Sequence, residues 1–146
     1  SPYIWKESKY VKDGEDTSMV TMANIHVVTD YLQKEEFLTE DGEVRSVTVS
    51  ELGYTSSNGE EVQAAAIAYA YKAAEANPHI DAVLFSRQTD AAEEVAEGLA
   101  LGINHIDGKR KYMYNVFKYM DTEQEEKYTD FAKEIIGIDD WGTVIR

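Results

Sequence analysis

The sequence predicts a parallel α/β fold that is incomplete by itself. Two apolar, strand-like runs at residues 44–50 and 80–86 flank one helix-length, alanine-rich segment. A strand–helix–strand order of this size pairs its strands in parallel through a right-handed crossover. Helical patterns precede and follow the pair, yet two strands are too few for helices to cover on both sides. The rest of a barrel is the natural completion. Residues 1–146 then form one domain that is incomplete by itself.

The elements follow in order. Residues 1–16 show no period and contain Lys12-Asp13-Gly14, so a loop is expected. Over 21–38, Met22, Ile25, Val28 and Leu32 recur on one helical face, with Thr17 and Ser18 as candidate caps. Thr39-Glu40-Asp41-Gly42-Glu43 ends that helix in a turn. The strand at 44–50 is short and β-branched, and Val47, Val49 and Glu51 share a face by its period of two. Ser57-Asn58-Gly59-Glu60 reads as a capping box opening a helix to about residue 76. Its inward stripe is Val62, Ala65, Ala66, Tyr69 and Ala73, and Asn77-Pro78 stops it. The nearly continuous apolar run at 80–86 predicts a strand buried on both faces. A short helix through Ala96 comes next, then irregular chain over 99–108 with a turn at Asp107-Gly108. Helices are expected over 109–120 and 122–136, with Gly137 as the left-handed stop. Residues 141–146 read as a short final strand.

Composition excludes several functions. Fourteen basic and 28 acidic side chains give a net charge of -14, which repels phosphate backbones and anionic membrane surfaces. No apolar run approaches the roughly 20 residues that span a bilayer. No signal-like start is present, which says little of a fragment or mature protein, and the compartment stays open, a secreted or extracytoplasmic parent being one option. The absence of cysteine removes disulfides, thiolate zinc sites and cysteine nucleophiles together. His26, His79 and His105 lack paired ligand spacing, Asp13-Gly14-Glu15-Asp16 lacks the EF-hand pattern, and Gly53 and Gly59 lack a phosphate-loop pattern. Neither metal nor cofactor is expected. Lys109-Arg110-Lys111 ahead of Tyr112 and Tyr114 has the look of a nucleic-acid patch, but in so acidic a chain these cations are expected to pair with carboxylates. Ten tyrosines and two tryptophans suit stacking on sugar rings, though core packing is their commoner use.

The sharpest local feature is Val47-Thr48-Val49-Ser50-Glu51-Leu52-Gly53-Tyr54. A carboxylate stands where a strand gives way to a loop, with Gly two residues later. In parallel α/β folds that end of the strand is where ligands bind. With Glu51 turned into a barrel, Val47 and Val49 fill the interior layers beneath it; as a solvated loop residue, Glu51 has no role. Arg87 and Asp90 follow the second strand at the same level. Arg87 there either lowers the pKa of Glu51 or binds a sugar hydroxyl, or else pairs with Asp90 to close the rim. Glu93 and Glu94 read as a helix start.

Ser50-Glu51-Leu52-Gly53-Tyr54 resembles the seventh-strand Glu-x-Gly segment of clan A glycoside hydrolases, whose glutamate is the nucleophile. Nearly the whole chain is similar to an uncharacterised bacterial family of glycosidase-like (β/α)8, or TIM, barrels. The matching stretches are 24–32, 51–56, Gln63-Ala64-Ala65-Ala66 with Ala68-Tyr69, 87–90, Gly98-Leu99 with Leu101-Gly102, and 136–141. The resemblance implies that the strands at 44 and 80 are the seventh and eighth, and that earlier strands lie outside this chain.

What it implies for function is retaining hydrolysis of glycosidic bonds in the full-length parent, with Glu51 as nucleophile and Tyr54, Arg87 and Asp90 as substrate contacts. The acid/base partner stands on the fourth strand in clan A enzymes and so falls outside this chain. The isolated chain is expected to be inactive and to self-associate through open strand edges. Its partners are a carbohydrate ligand and the rest of its own barrel. The alternative is a non-catalytic carbohydrate-binding or scaffold barrel.

Overall fold

The computed structural model describes residues 1–143 and 145. Among these residues six α-helices and two strands follow in order: α1 His26–Tyr31, β1 Val47–Leu52, α2 Glu60–Glu75, β2 Ile80–Phe85, α3 Ala92–Ala96, α4 Met113–Tyr119, α5 Glu125–Thr129 and α6 Phe131–Ile136. The fold is mixed α/β around a two-stranded parallel sheet, β1 against β2. Among the described residues, no helix is long and apolar enough to cross a membrane.

The centre of the molecule is α2. Residues 63–70 of this helix are all buried, beyond the one-sided stripe that the spacing predicts. A helix apolar nearly all round must be enclosed, and β2, α4, α6 and a 3-10 turn at Met22–Asn24 pack around it. Its seven alanines from position 64 to position 74 let those neighbours approach closely. Ile67, Met113, Val116 and Ala132 interlock there with almost no solvent exposure.

The sheet is covered on one face only. Val49, Leu52 and Phe85 pack on the core, while Thr48, Ser50, Ala82 and Leu84 face solvent, Leu84 at 55% exposure. The expectation of a strand at 80–86 buried on both faces is therefore corrected: no element described here lies over its second face. The register also shifts between Val49 and Leu52. A strict period of two would send Glu51 inward behind Val49; the shift puts Leu52 on the core instead and leaves Glu51 exposed. Val49 accordingly faces the helix layer and is no floor beneath Glu51.

Local chemistry moved several boundaries. The helix expected over 21–38 breaks into the 22–24 turn, α1 and a second 3-10 turn at Glu35–Phe37. Thr21 caps its start: its hydroxyl accepts from the Ala23 N–H, and the Asn24 side chain accepts from the Thr21 N–H at 2.8 Å. Thr17 is occupied elsewhere, donating to the Met19 carbonyl at 2.8 Å. The capping box at 57–60 does not form either. Gly59 is the N-cap, at φ 118°, and the Ser57 hydroxyl instead donates to the Gly98 carbonyl at 3.0 Å. The helix expected over 122–136 divides into α5 and α6, and Gly137 ends it at φ 84° as the sequence predicts. The final strand is absent at Trp141–Thr143, which form a 3-10 turn; Val144 and Arg146 fall outside the described residues.

Candidate functional site

Parallel pairing brings the two strand ends to one edge. Leu52 is in register with Phe85, and the Ser86 N–H donates to the Leu52 carbonyl at 2.8 Å. Glu51 is the penultimate residue of β1, and Arg87 lies two residues past β2. Gly53 has a steric reason to be glycine: a Cβ there would stand 2.5 Å from the Ser86 carbonyl oxygen. The Glu-x-Gly spacing is thus a packing requirement where β1 passes the end of β2.

The four residues singled out from the sequence divide into two pairs. Glu51 is exposed and Arg87 partly so. Arg87 pairs with neither Glu51 nor Asp90; its Nη2 donates to Glu94 Oε1 at 2.7 Å, tying the β2 exit to the first turn of α3. Tyr54 is buried in the core cluster. Burial, reinforced by Tyr69, pushes its phenol well above the usual range. Asp90 is also buried, and its partner is Lys111 at 2.8 Å rather than Arg87.

The Asp90–Lys111 pair anchors a polar knot behind this edge. The Lys111 side chain is 0% exposed, and its ammonium donates to Asp90, to the Ser56 hydroxyl at 2.9 Å and to the Ala100 carbonyl at 3.1 Å. Asp90 also accepts from the Gly102 N–H at 2.7 Å. Gln63, buried in α2, donates to the Tyr54 carbonyl at 2.8 Å and the Ala100 carbonyl at 3.2 Å. All three donors of the ammonium are used, as burial of a charge demands. The knot joins the loop after β1, the loop after β2 and the chain entering α4. Gly102 belongs to it sterically, since a Cβ would meet the Asp90 nitrogen at 2.3 Å.

Sequence reasoning did not find Lys111, Ser56 or Gln63. Gln63 carried a signal, being the one polar residue in an otherwise apolar run over 62–70. Lys111 bears out the expectation that its triplet pairs with carboxylates, but nothing in the sequence marks it as the buried member. It sits in a basic triplet whose other members behave as surface residues, Lys109 pairing with Asp107 at 2.8 Å and Arg110 stacking on Tyr114 at 4.1 Å. Among the described residues no group of His, Asp and Glu could hold a metal ion.

Fold and edge together define a mixed α/β domain whose parallel strand ends carry an exposed carboxylate, braced from behind by a buried ion pair. The chain belongs to DUF5722, a family of unknown function whose model matches residues 1–144. No curated protein and no solved structure matches it.

Proposed function

We propose that this chain is the C-terminal part of a glycosidase-like (β/α)8 barrel, and that Glu51 is the nucleophile of retaining glycoside hydrolysis in the intact parent. The observation that carries the reading is the exposed carboxylate of Glu51 at the C-terminal edge of two adjacent parallel strands, the edge at which parallel α/β folds bind ligands. The uncovered sheet face and the outer edges of β1 and β2 support the barrel, because parallel strands are ordinarily covered on both sides and paired along both edges. The remaining strands of the parent are the partner that fits there.

In this reading Glu51 attacks the anomeric carbon as the glycosidic bond breaks, the aglycone leaves with a proton from an acid on another strand, and water then releases the sugar. Arg87 is exposed enough to bind a sugar hydroxyl. Tyr54 and Asp90, being buried, act by fixing the loops that carry the other two. Glu51→Ala in the parent should abolish hydrolysis with little loss of stability, since the residue is exposed. Azide with an activated substrate should partly restore turnover and give a product of inverted anomeric configuration, because one displacement has then occurred. Full activity without Glu51 would end the assignment.

A further inference from the structure

We infer that the cleft between α4 and the α5–α6 pair, beside the N-terminus of α2, is a second binding site that takes the carboxylate of an acidic sugar, a uronate residue of a glycan. The cleft measures ≈550 Å³, within the range of small-molecule sites. Arg110 and Lys127 stand on its wall, and neither reaches a carboxylate among the described residues, although the chain carries twice as many acids as bases. Each lies against a tyrosine ring instead, Arg110 at 4.1 Å from the centre of Tyr114 and Lys127 at 5.1 Å from that of Tyr128. A guanidinium stacked by its face keeps its edge N–H groups free for a carboxylate.

The one acid on the wall, Glu60, is already committed. Its Oε1 lies 2.8 Å from His105 Nε2, and its Oε2 accepts the Tyr112 N–H at 2.7 Å. The groups left facing the cleft are therefore cations, the Asn115 amide and tyrosine rings, a set that suits a negatively charged, polyhydroxylated ligand. Two of the rings are held before any ligand arrives: Tyr112 packs edge-on against Phe131 at 4.9 Å, and Tyr128 stacks on Tyr119 at 4.2 Å. Such preorganisation lowers the ordering cost of binding. The net charge of -14 does not decide the matter locally, because salt screens charges beyond about 8–10 Å.

The choice of a sugar rests on the glycosidase reading; the preference for an anion rests on the cleft alone. Calorimetric titration of the chain with cellobiouronate should show saturable binding that weakens with salt. Cellobiose, the neutral match, should bind about tenfold more weakly or worse, the value of one lost charge-assisted contact. The double variant R110Q/K127Q, checked for an unchanged circular dichroism spectrum, should lose a similar factor, and E51A should lose nothing. Equal affinity for the two disaccharides, no binding of the uronate, indifference to the double substitution, or acetate and inorganic phosphate binding as tightly as the uronate would each overturn the inference. Glu51 is not on this wall and binding rather than turnover is read, so failure here and failure of the nucleophile assignment are separate outcomes.

Discussion

Lys111→Met tests whether the knot behind the strand ends carries the stability its geometry implies. Methionine keeps the length and apolar stem of lysine and removes the ammonium. Asp90, with its side chain 4% exposed, is left with the Gly102 N–H as its remaining donor. The Ser56 hydroxyl and the Ala100 carbonyl lose a donor as well, though Ala100 keeps those of Gln63 and Ser56. Breaking a buried pair by removing one partner costs about 3–5 kcal/mol, a large share of the roughly 5–15 kcal/mol that holds a domain folded. With a urea slope of about 2 kcal/mol per molar, the midpoint should fall by roughly 2 M. Urea unfolding followed by far-UV circular dichroism reads this directly. Lys109→Met is the control, because the Lys109–Asp107 pair lies in solvent and its loss should leave the midpoint in place. The double variant K111M/D90N removes both charges and should recover part of the loss. A Lys111→Met midpoint no lower than that of Lys109→Met would refute the reasoning.

Three further expectations follow from the same structure. Gly102→Ala should destabilise by about 1–3 kcal/mol or more, because the new methyl meets backbone at 2.3–2.7 Å on several sides and no flexible side chain can yield; thermal unfolding measures it. Stability should decline as pH rises above about 10, the unfolded tyrosine value, because the folded state holds Tyr54 protonated past the point where the unfolded chain ionises. Tyr54→Phe should flatten that decline, and a slope identical to wild type would count against it. Leu84→Lys should shift the chain toward monomer in sedimentation, since Leu84 lies on the uncovered sheet face; a wild-type chain that is already monomeric would contradict the open-sheet account.

The sequence made the strand–helix–strand unit legible because each of its parts is local. An alanine-rich helix and two apolar runs need no knowledge of distant residues, and Gly137 announces its own turn. The burial of β2 was misread for a physical reason: an apolar run reports what a strand is built to be covered by, and no described element supplies that second cover. Glu51 is legible from its place at a strand end, but the face expected for it with Val47 and Val49 is not the one it takes, because the register shift that turns it away from Val49 leaves no mark in the residue pattern. The caps failed where hydroxyls had better distant partners, as Ser57 has in the Gly98 carbonyl, 41 residues away. Asp90 was noticed, yet its partner Lys111 is 21 residues on, across an irregular loop. Such pairings are set by the fold and cannot be read from spacing.

The central claim is that Glu51 bonds covalently to the anomeric carbon, and trapping that bond tests it most directly. A 2-deoxy-2-fluoro glycoside with a good leaving group forms the ester by expelling the leaving group, while the fluorine slows the second displacement. The intact parent should be incubated with such a substrate, digested and analysed by mass spectrometry. The expected result is one glycosyl adduct per molecule, on the peptide containing Ser50-Glu51-Leu52-Gly53-Tyr54 and fragmenting to Glu51. An adduct on another carboxylate, or turnover of the parent substrate with inversion and no adduct, would contradict the claim.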